Sequence, residues 1–111
     1  MAFIDTRRLT EIERLPGWHG RYFDSEHMTF GHYQFDAGAS IHQHSHPNEE
    51  VWNVVDGQLE VTIAGVTQVA GPGGVALVPP DTLHSVRALT AGRAIVVDSP
   101  RRDMISGHEP G

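Results

Sequence analysis

Histidines and glutamates are concentrated in one short segment, which reads IHQHSHPNEE over residues 41–50. The chain carries eight histidines among 111 residues, a high number for its length. Imidazole nitrogens and carboxylate oxygens at close spacing are donors with which proteins bind divalent transition metals. The segment therefore predicts a metal site with mixed nitrogen and oxygen ligands. The alternative is a group of surface histidines on an edge strand.

Side-chain alternation along a β-strand restricts which of these imidazoles can converge. Successive side chains point to opposite faces, so a strand over 41–46 would place His42, His44 and His46 on one face. Two imidazoles on the same face, two residues apart, can bind a single ion. Alternation alone does not say which two of the three do so.

The carboxylate and a further imidazole must come from other strands. Glu50 would share a face with Trp52 on the strand that follows the Pro-Asn turn, whereas Glu49 would point to the opposite face. His84 begins a later strand after the rigid sequence VPPD at 78–81. Three imidazoles and one carboxylate suit one Fe, Mn, Ni, Co or Zn ion. A six-coordinate ion would keep two positions for water or substrate, whereas four protein ligands would also suffice for a structural metal.

Composition and charge exclude several classes of function. Eight Lys and Arg against fourteen Asp and Glu give a net charge of −6, which argues against nucleic acid or an anionic membrane as a partner. The absence of cysteine excludes disulfides, thiol catalysis and thiolate ligands. The chain has no apolar run of ~18 residues and no signal-peptide pattern at its N-terminus. We therefore expect one cytoplasmic globular domain.

Short strands and turns must position the candidate ligands. Apolar residues at 9, 12 and 15, followed by Pro-Gly, predict one short helix over 6–15, with an extended N-terminal segment as the alternative. From residue 27 onward, short strands separated by Gly and Pro predict an all-β sandwich or barrel. The expected strands are 27–35, 41–46, 50–55, 58–64, 66–69, 75–78, 83–89 and 93–97.

The spacing of these residues resembles the two motifs of the cupin superfamily. The first, Gly-x5-His-x-His-x3-Glu-x6-Gly, is matched throughout by Gly38, His44, His46, Glu50 and Gly57. The second, Gly-x5-Pro-x-Gly-x2-His-x3-Asn, is matched by Gly73, Pro79 and His84, with Asp81 and Ala88 replacing its other two residues. The resemblance implies a double-stranded β-helix, or jelly-roll barrel, over 27–98, an N-terminal extension over 1–26 and a C-terminal arm over 99–111. It implies four metal ligands: His44, His46, Glu50 and His84.

Within that superfamily the chain is similar to the KdgF-like cupins, which open unsaturated uronate rings. The shared sequences are HSHP at 44–47, QLE at 58–60 and SPRR at 99–102. The chain departs from that group at Glu50, where the group tends to have Gln. It departs also at Val96 and Asp98, where the group has an Asp and an aromatic residue. The resemblance implies a homodimer and assigns Arg102 to the binding of a substrate carboxylate.

These observations predict a metal-dependent enzyme in which the ion acts as a Lewis acid on a small, oxygen-rich, anionic molecule. Isomerisation, ring opening or cyclisation would need one acid–base group, for which Asp98 and His42 are the candidates. Arg102, Trp52 and Tyr33 are the candidate substrate-binding residues. An Fe(II) dioxygenase and a non-catalytic protein that binds or senses a small ligand are the alternatives.

Overall fold

The computed structural model describes residues 2–105, which form ten β-strands and one short 3-10 turn. The strands are β1 (Ile12–Glu13), β2 (Trp18–Asp24), β3 (Thr29–Phe35), β4 (Ser40–His44), β5 (Glu49–Asp56), β6 (Leu59–Ile63), β7 (Val66–Ala70), β8 (Val75–Val78), β9 (His84–Ala88) and β10 (Gly92–Ser99). They form a six-stranded sheet in the order β1-β2-β3-β10-β5-β8 and a four-stranded sheet in the order β4-β9-β6-β7. All strand pairs are antiparallel. The predicted all-β jelly-roll barrel is confirmed.

Side chains from both sheets form one hydrophobic core. On β6 the predicted alternation is observed, because Leu59 and Val61 are buried and their neighbours are more exposed. Burying a large apolar side chain contributes about 1.5–3 kcal/mol relative to leaving it exposed. The inward rows of β5 and β10 lie side by side, and they bring Trp52 opposite Val96 and Glu50 opposite Asp98. The core row thus ends in a pair of carboxyl groups.

Four aromatic residues pack together beside this carboxyl pair. The Trp18 ring lies edge-on to the rings of Tyr33 and Trp52, with centroid distances of 6.0 and 5.8 Å. Tyr33 and Trp52 stack at 6.1 Å, and Phe35 packs against Trp18 at 5.6 Å. Edge-on and offset contacts of this kind are favoured by the ring quadrupole. The aromatic cluster thus lies next to Glu50, to which the Trp52 indole donates a hydrogen bond.

Of the two alternatives predicted for the N-terminal segment, the structure favours the extended one. The helix over 6–15 is wrong, because only Thr6–Arg8 are helical, in one 3-10 turn capped by the Asp5 side chain, and β1 follows. A helix of ten residues is marginal without tertiary packing, whereas the edge of β2 offers β1 backbone partners. The part of the chain that precedes residue 27 also contributes β2, which pairs along the whole of β3. Across residues 2–105, no helix is long and apolar enough to cross a membrane.

An irregularity in β4 alters which of its side chains point inward. The pairing of β4 with β9 shifts register between Ile41 and His44. Such an extra residue in one strand breaks the strict alternation of faces. Ile41 is accordingly buried and His44 half-buried, while His42 is exposed. The prediction that His42 shares a face with His44 is wrong.

Candidate metal centre

Three imidazoles, two from the neighbouring strands β4 and β9 and one from the turn after β4, converge at one place in the barrel. His44 is the last residue of β4 and lies directly across from His84, the first residue of β9. His46 follows β4 in the turn that leads into β5. One ring nitrogen of each lies within 4.8 Å of the others, so the three could hold one metal ion. His84 is almost fully buried, at 1% exposed.

The backbone orients all three rings in the same way. Each Nδ1 lies within hydrogen-bond distance of the carbonyl oxygen of a residue two positions away in the sequence. The pairs are His44 to His42 at 2.8 Å, His46 to Asn48 at 3.1 Å and His84 to Thr82 at 2.8 Å. A carbonyl oxygen can only accept, so each Nδ1 carries a proton and each neutral ring keeps a lone pair on Nε2. This tautomer, held by a backbone carbonyl, is the one that binds metals through Nε2.

The Glu50 carboxylate faces two of these lone pairs. Its Oε2 lies 3.0 Å from His46 Nε2, and its Oε1 lies 3.4 Å from His84 Nε2. Two acceptors at that distance repel unless a proton or a cation lies between them. His84 Nε2 is moreover buried without a hydrogen-bond partner in the described chain. The donor set therefore fits a divalent transition-metal ion.

Two further contacts hold Glu50 in its ionised form. Trp52 Nε1 donates to Oε1 at 2.5 Å, and Arg102 Nη1 lies 3.3 Å from Oε2. Burial raises the pKa of Glu50, but its contacts with His46, His84, Trp52 and Asp98 outweigh this effect and hold that pKa well below its usual range. Glu50 is thus a carboxylate at neutral pH.

Asp98 has the opposite protonation state. Burial and then the negative charge of Glu50 raise the pKa of Asp98 to about 8, although Arg102 acts against the rise. Arg102 Nη1 lies 4.0 Å from Asp98 Oδ2, and Asp98 Oδ1 is buried without a hydrogen-bond partner in residues 2–105. Asp98 therefore carries a proton at neutral pH, beside a carboxylate that does not.

The sequence of the chain matches the cupin domain family (Cupin_2) over residues 31–100. The chain belongs to this family. The predicted superfamily is confirmed, and the match spans the candidate ligands. This cupin is 31% identical over 98 residues to an uncharacterized protein of Streptomyces coelicolor, SCO3923, covering 84% of the chain and 93% of that protein.

Two solved structures share the fold and more than a quarter of the sequence. An RmlC-like cupin from Shewanella frigidimarina superposes with a TM-score of 0.86 at 26% identity, covering 93% of this chain and 94% of the other. KdgF from a Halomonas species gives the same TM-score and identity, covering 93% and 96%. The similarity to KdgF that the sequence indicated is thus found in the structure as well.

The substrate-binding candidates of this cupin line a cavity of about 30 Å³ beside the histidines. Tyr33, Trp52, Asp98 and Arg102 all contribute to its wall. Trp52 also supports Glu50, and the Tyr33 hydroxyl accepts a hydrogen bond from Tyr22 at 3.1 Å. Burial raises the pKa of Tyr33 well above its ordinary value, so its phenol stays protonated.

His42, a candidate acid–base residue, lies outside this cavity wall. Its exposed side chain packs against the ring of His44 at a centroid distance of 5.6 Å, and its carbonyl oxygen orients that ring. Glu49, the rival of Glu50, is exposed as well. Both side chains are thus exposed, and neither lines the cavity.

Sequence reasoning missed Asn48 and Arg14. Asn48 is buried, orients His46 through its carbonyl oxygen and donates from Nδ2 to the Pro100 carbonyl at 2.6 Å. It thereby ties the ligand-bearing turn to the C-terminal arm, and its place after a proline in a turn was the only available signal. Arg14 lines the cavity from the N-terminal segment, where no motif marked it.

Proposed function

We propose that this cupin binds one divalent metal ion and acts as an enzyme on a small, oxygen-rich, anionic substrate. The observation that carries the proposal is the approach of the Glu50 carboxylate to imidazole nitrogens whose lone pairs face it. A metal ion between these groups would remove the repulsion, because the three imidazole nitrogens and the carboxylate would all bind it. The proposed ligands are His44, His46, His84 and Glu50.

The residues next to the ligands supply the rest of the chemistry. When bound, a divalent ion polarises a carbonyl or enol oxygen and so acidifies the neighbouring C–H or O–H bond. Asp98, whose pKa is raised to about 8 in the metal-free chain, would donate a proton to a substrate oxygen. Arg102, at the cavity wall, would attract an anionic substrate. Tyr33 and Trp52 would exclude water from the same space.

An isomerisation, ring opening or cyclisation needs only these elements. The similarity to KdgF favours an unsaturated uronate as the first substrate to test. At the position where the KdgF-like group has an Asp, this chain has the buried Val96, so Asp98 would have to be the acid. Incubation of metal-loaded protein with 4,5-unsaturated galacturonate should remove its ultraviolet absorbance. No turnover by a fully loaded protein would contradict this substrate and favour a non-catalytic ligand-binding role.

The same donor set favours a second candidate function. Imidazole and carboxylate ligands with open positions suit Fe(II) and dioxygen chemistry. Protein reconstituted with Fe(II) under nitrogen and then exposed to air with a candidate substrate should consume dioxygen if this is the activity. Protein loaded with Zn²⁺ provides the control, because zinc has no redox chemistry.

Loss of ligands tests the metal site directly. His44→Ala and Glu50→Ala are expected to reduce the bound metal at least about tenfold, because each removes one donor from the proposed set of four. His42→Ala is the matched control, since its side chain is exposed. Elemental analysis of protein purified without added metal gives the result, and circular dichroism checks the fold. Unchanged metal content in either ligand variant would contradict the site.

We also propose that the chain forms a homodimer in the cytoplasm. Exposed apolar side chains on β7 and β8, among them Val66 at 64% and Leu77 at 63%, support an interface on that side of the barrel. Sedimentation equilibrium should give twice the chain mass of 12.2 kDa. Leu77→Lys should shift the equilibrium toward monomer, whereas a monomeric wild-type protein would contradict the dimer.

A further inference from the structure

Buried polar atoms without a hydrogen-bond partner are concentrated around one cavity of this protein. In the described residues there are five such atoms, on Arg14, Trp18, His84 and Asp98. His84 Nε2 is assigned above to the metal, and the other four atoms belong to residues that line the cavity beside it. Burying a polar group without a partner costs about 1–3 kcal/mol. Such a concentration therefore indicates a place where a ligand supplies the missing partners.

Arg14 presents the most informative of these atoms. Its unpaired nitrogens are Nε and Nη2, while Nη1 lies 2.9 Å from the Met104 sulfur. Nε–H and Nη2–H point from the same edge of a guanidinium, at a spacing that matches the two oxygens of a carboxylate. A guanidinium stays charged at any physiological pH. The free edge of Arg14 is thus the edge with which arginine binds carboxylates.

No carboxylate in residues 2–105 lies within 4.0 Å of Arg14, whereas Arg102 is already paired with Glu50 and lies near Asp98. Arg102 therefore has two acidic neighbours in the protein itself. Among residues 2–105, Arg14 has only the weak acceptor of Met104. Of the two arginines at the cavity wall, Arg14 is the one whose charge has no anionic partner in the described part of the chain.

We propose that the Nε–Nη2 edge of Arg14, with the indole N–H of Trp18, binds a carboxylate group of the ligand in this cavity. The cavity volume of about 30 Å³ suits one such group, because one water molecule needs roughly 10–15 Å³ on the same scale. The remainder of the ligand would extend toward the histidines. The inference rests on the proposed function only in taking the bound molecule to be the substrate.

Acetate is a suitable probe, because it contains the carboxylate and little else. We expect acetate to shift the side-chain Nε–H resonance of Arg14 in ¹⁵N NMR spectra in a saturable manner. The shift should occur both in EDTA-treated and in Zn²⁺-loaded protein, since the subsite does not use the metal. Acetamide, of the same shape but uncharged, should give no saturable shift.

Substitutions test whether Arg14, rather than another arginine, binds the acetate. Arg14→Gln should weaken acetate binding, followed by calorimetry, at least about tenfold, because it removes a charge-assisted bidentate contact. Arg14→Lys keeps the positive charge but lacks the paired N–H donors of the guanidinium, so its acetate affinity should lie between those of the wild type and Arg14→Gln. Arg101→Gln, on an exposed residue of the C-terminal arm, is the control with the same change in charge. Thermal unfolding confirms that each variant is folded.

Two outcomes would overturn the inference. The first is a wild-type protein that shows no saturable acetate response, which would mean that water alone satisfies these atoms. The second is unchanged acetate binding in folded Arg14→Gln, above all if Arg102→Gln abolishes it. By contrast, acetate binding that requires Arg14 in a protein without metal or turnover would support the inference while the proposed function fails.

Discussion

Replacing Asp98 by asparagine is expected to stabilise the metal-free protein increasingly as the pH rises. Asp98 is 4% exposed, and burial together with the charge of Glu50 raises its pKa to about 8 from an ordinary value of 3.8. Asparagine has nearly the same shape but cannot ionise. The substitution therefore removes the cost of placing a second negative charge beside Glu50 and retains the packing.

The sign and size of the effect follow from proton linkage. Between pH 3.8 and about 8 the folded wild-type chain holds a proton on Asp98 that the unfolded chain has released. Folding stability then falls by about 1.4 kcal/mol for each pH unit gained and levels off above about pH 8. From pH 5 to pH 8 the advantage of Asp98→Asn should grow by up to about 4 kcal/mol. The lowered pKa of Glu50 acts in a separate window, because its contribution is lost only as the pH falls below 4.5.

Urea unfolding at pH 5, 6, 7 and 8 in the presence of EDTA measures this difference. Burial lowers the pKa of His44. Burial also acts to lower the pKa of His84, but the nearby Glu50 carboxylate and Thr82 carbonyl raise it. Both histidines are present in the two proteins being compared. Asp5→Asn is a control at an exposed carboxylate: hydrogen bonds from Arg7, which stays charged, lower the pKa of Asp5, so the effect of this substitution should not vary over the range. A difference between wild type and Asp98→Asn that stays constant from pH 5 to pH 8 would show that Asp98 is ionised in the folded chain.

Metal binding, one indole hydrogen bond and one glycine have further measurable consequences. Zn²⁺ or Mn²⁺ at one hundred times its Kd should add about 2.7 kcal/mol to the free energy of unfolding. That gain should disappear well below pH 6.5, where imidazoles are protonated, so a gain that persists at pH 5 would contradict histidine ligation. Trp52→Phe removes the indole donor to Glu50 and should lower the free energy of unfolding by about 1–3 kcal/mol in urea titrations. An unchanged free energy of unfolding would show that this hydrogen bond is not stabilising. Gly57→Ala should lower the free energy of unfolding by at least about 2 kcal/mol more than Gly65→Ala in the same urea titrations. Both glycines have positive φ, at 79° and 81°, but of these two positions only 57 would place the added methyl group against a backbone atom, the Ala91 carbonyl oxygen. Equal losses in the two variants would refute this reasoning.

Most of the barrel could be predicted from local patterns in the sequence. Alternating apolar residues and turns rich in glycine mark β6 and the strands around it, because a half-buried strand needs one apolar face. The N-terminal segment could not be predicted in this way. Its apolar residues at every third position suit a helix, but backbone pairing with β2 is available only in the folded sheet. Local periodicity carries no information about such a partner.

The candidate site, like the barrel, could be predicted from the sequence only in part. The intervals between His44, His46, Glu50 and His84 follow from the sequence and its resemblance to cupins, and the structure brings these side chains together. Alternation along an unbroken strand placed His42 with them, but the register shift in β4 turns it outward. A bulge depends on how two strands pair, which a single strand does not reveal.

The sequence by itself determined which donors this protein has and how far apart they lie along the chain. Only the tertiary structure decided their charge and their neighbours. Asp98 and Glu50 are two acidic residues until cross-strand pairing buries them side by side, which separates their pKa values in opposite directions. Arg14 is one cation among eight until folding buries its free edge in a cavity without a partner in the described chain. Burial and proximity of residues distant in sequence are properties of the fold, and they determine what each donor can do.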